Sequence, residues 1–379
     1  MINRQETKSK NAQARLRVRS LPTYVPGARA NDLSQIAKLS SNENPFAPLP
    51  GINEKIVEGL AQINRYPDMS VADLAQVLAN FLTTELCERE SDVAPIQAEN
   101  LVFGTGSVAV LAHIVQAFCE AGDEVIYPWR SFEAYPIVVD IAGAEKVQVP
   151  LDEQLRADVK AIANAVTQNT KVILLCTPNN PTGGSVRHQD VVWLLENIPA
   201  QVALVIDEAY VEFVQGQDKV RSLELLSAYP NVIILRTFSK AYGLAGLRVG
   251  YAVANTEIAS ALRATATPFG VSSVAQIAAV ASLGAAPELM ERVAELVAER
   301  ALVLAELRAQ GWPVVESQAN FVWLGLGDQA LAFAEFCKEN QVLVRPFAGD
   351  GVRISIGDVA ENHKFLQLSK QWLGKSKTK

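Results

Sequence analysis

Between about residue 100 and residue 258 the chain alternates short apolar runs with segments of helical periodicity. "NLVFGTGS", "EVIYP", "KVILLC", "VALVID" and "NVIILR" are rich in β-branched residues and bounded by turn formers, the pattern of buried strands. Between them, "SVAVLAHIVQAFCEAGDEV" repeats its apolar positions at helical spacing as far as Gly122, and "QDVVWLLENI" does the same. Repeated β–α alternation predicts a mostly parallel sheet covered by helices on both faces. Every polar cluster in this region follows the carboxyl end of a strand, where open α/β sheets bind their ligands.

Past residue 258 the pattern changes. "PELMERVAELVAERALVLAELRAQG" starts at Pro287 and stops at Gly311, with Leu289, Val293, Leu296, Val297, Val303, Leu304 and Leu307 on one face of a long amphipathic helix. Short strands ("FVWLGL", "VLVRPF", "GVRISIG") and another helix follow, which predicts a smaller α+β domain. The first forty or so residues hold no complete domain pattern. The expected organisation is an N-terminal arm (1–44) packed on the small domain, a large α/β domain (45–258) and a small C-terminal domain (259–379).

Composition narrows the functions this fold can serve. The chain has 379 residues, 49% of them apolar, enough for two sizeable cores and too many for a disordered chain. A balance of 34 basic against 41 acidic residues, −7 overall, argues against nucleic acid as a partner. The basic residues near the N-terminus (Arg4, Lys8, Lys10, Arg15, Arg17, Arg19) read as a solvated arm, and no apolar segment follows them as a secretory signal requires. No apolar run approaches a membrane span, so no membrane partner is expected. Cys87, Cys119, Cys176 and Cys337 are scattered, as are His113, His188 and His363, so no metal site is expected and a reducing cytoplasm is.

The candidate chemistry lies in "RTFSKAYGLAGLRVGY", residues 236–251. Hydroxyls, glycine-freed backbone amides and the Arg248 guanidinium suit a phosphate dianion, and Lys240 beside them can form a Schiff base with an aldehyde cofactor. Asp207 ends an apolar strand, where an unpaired carboxylate is costly; it either caps the next turn or pairs with a protonated pyridine nitrogen. Tyr210 and Asn180 stand where they can reach the phenolate oxygen of such a ring, or serve packing and the rigid "NNPTG" turn. "GTGS" opens a helix whose amides and dipole suit a phosphate, and equally fits a plain loop.

In this order and after strands, "NNPTG", "IDEAY" and "TFSKAYGLAGLRVGY" resemble the fold-type I pyridoxal phosphate aminotransferases over nearly the whole chain. Within them the chain is most similar to the histidinol-phosphate aminotransferase group, in particular its aromatic amino acid aminotransferase branch. The resemblance implies Lys240 as Schiff-base lysine and general base, Asp207 as pyridinium partner, and Asn180 and Tyr210 on the ring oxygen. It implies Ser239, Arg248, Gly106 and Ser107 on the phosphate of pyridoxal 5′-phosphate, with Phe132 stacked on the ring. Tyr66 in "NRYPD" would reach the neighbouring subunit's cofactor in a homodimer with shared sites. Arg353, with Arg345, would hold the substrate anion. Tyr24, Phe132, Tyr135 and Phe321 would wall an aromatic side-chain pocket. The implied reaction is ping-pong exchange between aromatic L-amino acids and 2-oxoglutarate, with histidinol phosphate as the alternative donor. The cofactor motifs also admit a decarboxylase on the same scaffold. A ligand-sensing regulator would need a DNA-binding module, for which residues 1–40 are too few.

Overall fold

The computed structural model of the chain describes residues 12–21, 36–87, 94–217 and 219–376. Twelve strands are β1 (Ala37–Lys38), β2 (Leu101–Gly104), β3 (Glu124–Trp129), β4 (Glu145–Pro150), β5 (Thr170–Cys176), β6 (Ala203–Asp207), β7 (Val232–Thr237), β8 (Gly250–Ala254), β9 (Phe321–Leu324), β10 (Val342–Leu343), β11 (Arg345–Phe347) and β12 (Gly351–Ser355). Seven of them form one sheet in the order β2-β8-β7-β6-β5-β3-β4. Only β8 runs against its neighbours in that sheet; the other pairings are parallel.

The central strands β6 and β7 are buried along their whole length, as unbroken apolar runs require when helices cover both faces. Alternate residues feed two cores. Val172, Leu174, Val205, Ile233 and Leu235 enter one, and Ile173, Leu175, Leu204, Ile206 and Ile234 the other. The second core is continuous with the C-terminal part through Leu296, Phe321 and Val352.

The C-terminal part holds the antiparallel sheet β11-β12-β9, in which Arg345 and Arg353 are direct cross-strand partners. The helix Ala286–Gln310 has the expected proline at its start and a left-handed Gly311 at its end. It buries Leu289, Val293, Leu296, Val303, Leu304 and Leu307, while Val297 is only partly buried. Arg300 is also buried there, donating from Nη1 to the carbonyls of Phe213 (3.1 Å) and Ala319 (2.9 Å).

Two boundaries differ from the sequence-based expectation. Helix Thr256–Thr265 packs on helix Ser107–Phe118 and on β2 and β8, and helix Ser273–Gly284 packs on helices Pro50–Leu60 and Ala72–Cys87. The sheet-bearing body therefore continues past residue 258, because these helices turn their apolar faces mainly onto it. The N-terminal arm is likewise divided. β1 pairs with β10 of the C-terminal part, whereas Arg15 and Arg17 donate to the carbonyls of Ile141, Gly143 and Ala144 on the sheet-bearing body. Among the described residues no single helix is long and apolar enough to cross a membrane.

Where β2 meets β8, Gly104 lies opposite Gly250, and a Cβ on Gly250 would fall 2.3 Å from the Ser107 nitrogen. That contact is with backbone, which has little room to yield. Gly250→Ala is therefore expected to lower stability by about 1–3 kcal/mol, the cost of overpacking. Urea denaturation measures it, and an unchanged midpoint would show that the helix start can shift freely.

Candidate active site

The carboxyl ends of β5, β6 and β7 deliver Asn180, Asp207, Ser239 and Lys240 to one cavity of about 250 Å³. The first turn of helix Ser107–Phe118 closes one end through Ser107 and Val108, and Arg345 and Arg353 close the other from the small sheet. Ser40, Ser41, Asn42 and Glu43, from the segment that follows β1, complete the wall.

One end is built for an anion. Arg248, at a left-handed φ of 59°, donates from Nη1 to Ser239 Oγ (3.4 Å) and Ala245 O (3.0 Å) and from Nη2 to Thr105 O (3.3 Å). The Thr237 hydroxyl donates to Ser239 Oγ at 3.0 Å and accepts from the Ser239 amide at 3.1 Å. A Cβ on Gly106 would sit 2.3 Å from Arg248 Nη2, so only glycine lets the guanidinium lie against this turn. The Gly106 amide itself donates to Gly104 O at 2.7 Å. Gly106 shapes this turn through its backbone, while Ser107 and Val108 present the helix start to the cavity.

At the centre, Asp207 is 4% exposed. Burial pushes its carboxyl up to about 6, against the pull of a hydrogen bond that the Tyr135 hydroxyl donates to Oδ2 at 2.8 Å. The Ala209 amide donates to Oδ1 at 3.3 Å. The Tyr210 hydroxyl accepts from Asn42 Nδ2 at 3.0 Å, and its ring meets Phe321 edge-on at 5.1 Å. Phe132 lines the cavity with its ring edge-on to Tyr135.

Lys240 opens on the cavity and is partly buried. Burial pushes its ammonium down to about 8, and the Arg353 guanidinium pushes the same way. Its Nζ donates to Ser41 O at 3.4 Å and lies 5.9 Å from the centre of the Tyr210 ring. Its backbone is fixed by Asn44, whose Nδ2 donates to the carbonyls of Lys240 (3.3 Å) and Ala241 (3.1 Å). Arg353 donates from Nη1 to Asn180 Oδ1 (2.6 Å) and from Nη2 to Ser40 O (2.8 Å), and Arg345 pairs with Glu133 at 2.7 Å.

The structure thus brings Lys240, Asp207, Asn180, Tyr210, Ser239, Arg248, Ser107, Phe132, Arg345 and Arg353 to one cavity. Tyr66 stands apart, 83% exposed and stacked on Phe269 with ring centres 4.7 Å apart. Tyr135 and Phe321 are fully buried behind the cavity and do not wall it; Tyr24 falls outside the described residues.

Other contributors went unnoticed in the sequence. Asn42 holds Tyr210 from a left-handed φ of 52°, a conformation asparagine tolerates, and "SSNENP" is rich in the residues that adopt it. Asn44 fixes the lysine loop. Arg236 pairs with Glu208 at 2.8 Å and with Glu85 at 3.1 Å behind the sheet edge, tying the end of β6 to that of β7. Charged residues beside apolar strands were the available signal, since removing one member of such a buried pair costs about 3–5 kcal/mol.

The family described as aminotransferase class I and II matches residues 34–367. The aromatic amino acid aminotransferase of Streptomyces coelicolor is 50% identical over 359 residues, covering 94% of this chain and 97% of that protein. That of Thermobifida fusca is 45% identical, covering 93% and 95%. The crystal structure of histidinol-phosphate aminotransferase from Sinorhizobium meliloti in complex with pyridoxal-5′-phosphate superposes with a TM-score of 0.80 at 28% identity, covering 88% of this chain and 91% of that one.

The depressed Lys240 ammonium is measurable directly. In the apoprotein, its reaction with trinitrobenzenesulfonate should reach half its limiting rate near pH 8, below that of solvent lysines. The signal should vanish in Lys240→Arg. A midpoint as high as that of the other lysines would mean that the cavity does not desolvate the amine.

Proposed function

Because the chain belongs to the class I and II aminotransferase family, we propose that it transfers the amino group of aromatic L-amino acids to 2-oxoglutarate, using pyridoxal 5′-phosphate at Lys240. The observation that carries the reading is the convergence of a buried carboxylate, a depressed lysine and a guanidinium-flanked helix start in one cavity. The residues fit the cofactor: the Gly106–Arg248 contact leaves a cationic cradle at one end, and Asp207 offers a buried carboxylate that a pyridinium would keep ionised.

When bound, pyridoxal phosphate supplies an electrophilic aldehyde carbon and a protonated ring that draws electrons from the substrate α-carbon. Ser239, Arg248 and the first amides of helix Ser107–Phe118 would hold its phosphate, and Asp207 would keep the proton on the ring nitrogen. Asn180 and Tyr210 would serve its ring oxygen, and Phe132 would pack against the ring. Arg353 takes the substrate α-carboxylate, with Arg345 beside it as a second cation. Lys240 Nζ, uncharged in a useful fraction near neutral pH, takes the α-proton and returns it later in the exchange. Two half-reactions at one site give ping-pong kinetics.

A homodimer with shared sites completes this reading. Tyr66, Ile63, Met69 and Phe269 are exposed apolar or aromatic side chains, the kind of surface that a second copy covers in an isologous pair. The four cysteines are all free, three of them buried, which supports a reducing cytoplasm.

Substrate choice is tested by kcat/KM for phenylalanine against histidinol phosphate in one preparation, with Lys240→Ala as the inactive control. Phenylalanine should be favoured by up to about tenfold, the scale of one aromatic pair beyond burial. A tenfold preference for histidinol phosphate would overturn the aromatic reading. Site sharing is tested by refolding Tyr66→Ala together with Lys240→Ala. Activity should return, because a hybrid pair contains one site free of both defects, whereas a fully active monomer would refute sharing.

A further inference from the structure

We infer that Tyr135 is a positioning residue of this site: its hydroxyl keeps the Asp207 carboxylate ionised and fixed in direction for the pyridinium nitrogen. The inference rests on the reading of Asp207 as the ring-nitrogen partner. Tyr135 is fully buried on helix Ala134–Ala142 and lines no part of the cavity. A buried hydroxyl is costly unless it is bonded, and phenylalanine would fill the same space. Its strong bond is the 2.8 Å donation to Asp207 Oδ2, with the Cys176 thiol as a further neighbour.

The geometry gives that bond its consequence. The Tyr135 ring is held edge-on by Tyr127 at 5.8 Å and Phe132 at 5.7 Å, so the hydroxyl has little freedom to turn away. Phe132 lines the cavity, and one buried residue therefore braces both the candidate stacking ring and the carboxylate. Around Asp207, the Cys176 thiol on β5 donates to Pro178 O at 3.3 Å, and Glu208 turns to Arg236. Tyr210 is bonded to Asn42, and Lys240 and Arg353 stand across the cavity. Without the Tyr135 hydroxyl, the 3.3 Å contact from the Ala209 amide is the remaining donation to the carboxylate.

The sign follows. Burial raises the Asp207 carboxyl and the Tyr135 hydrogen bond opposes that rise. Removing the hydroxyl lets it rise further, so in the apoprotein the carboxylate is protonated over a wider range below neutrality, and binding a pyridinium must first remove that proton. Above the raised value the carboxylate forms without help and the deficit shrinks.

The test is the dissociation constant of pyridoxal phosphate, followed by absorbance on reconstituting apoprotein, for wild type, Tyr135→Phe, Asp207→Asn and the double variant from pH 6 to 9. Tyr135→Phe should weaken binding roughly tenfold at and below pH 7, the scale of a hydrogen bond to a charged group, and distinctly less at pH 9. In the Asp207→Asn background it should change affinity less than about twofold, because the two residues act as one unit. A loss that is equal at every pH, or that persists in full beside Asp207→Asn, would mean a packing role and overturn the inference. If Asp207→Asn alone binds as tightly as wild type, it is the assignment of Asp207 that fails.

Discussion

A carboxylate at the buried end of a central strand is the constraint around which this site is organised. Asp207 leaves water almost completely, and its carboxyl rises to about 6; Lys240, drawn into the same cavity, falls to about 8. Desolvation is the largest cause of both shifts, and it acts in opposite directions because it penalises whichever form is charged. The result is a carboxylate whose ionised form is costly to hold without a cation, and an amine that is uncharged in a useful fraction near neutral pH. A cationic ring between them would relieve the cost of the carboxylate without relieving that of the ammonium. The cofactor and the buried acid would therefore stabilise one another, and desolvation would leave the lysine amine uncharged in a useful fraction.

Holding these groups in place takes more of the chain than the strands that carry them. β6 and β7 set Asp207 and Lys240 at adjacent strand ends, and the Arg236–Glu208 pair ties those ends from behind. The segment after β1 is the second brace. Ser40 O accepts from Arg353, Ser41 O from Lys240, and Asn42 and Asn44 hold Tyr210 and the lysine loop. Because Leu39 O accepts from the Ser355 amide of β12 and the Asn42 amide donates to Ser355 Oγ, this segment ties the small sheet, and with it Arg345 and Arg353, to the ends of the large one. Gly104, Gly106 and Gly250 act in the converse way. Lacking side chains, they let helix start, strand and guanidinium approach one another.

The parts of the site legible in the sequence are those that ride on periodic elements. Asp207 and Lys240 follow unbroken apolar runs, so their place at strand ends was fixed once the strands were read. Asn42 and Asn44 lie in a segment with no period, where turn-forming residues announce a bend but not its target. Tyr135 was visible as an aromatic near the site, and its place within a helix was not enough to tell a wall residue from one buried behind the wall. The difference is set by how the helix packs on β4 and on helix Ser107–Phe118. The boundary at residue 258 failed for a related reason: periodicity shows that a helix has an apolar face, and only packing shows which body covers it. The packing of Arg248 against Gly106 was not legible in the same way, since it depends on a residue far along the chain.

Selectivity between an aromatic donor and an acidic acceptor has to be resolved within this single cavity. On the proposed reading Arg353 would be indifferent, because both substrates carry an α-carboxylate. The difference would fall to Arg345, which is cross-strand to Arg353 and already paired with Glu133 at 2.7 Å. An aromatic side chain would leave that pair intact. The distal carboxylate of 2-oxoglutarate would compete with Glu133 for the same guanidinium, and would gain only the difference between two similar ion pairs. A net-neutral wall thus lowers the advantage a second cation would otherwise give to dicarboxylates. With an aromatic ring pair adding only about 0.5–1.5 kcal/mol, restraint on the acidic substrate is what brings the two halves of a ping-pong exchange within reach of one another.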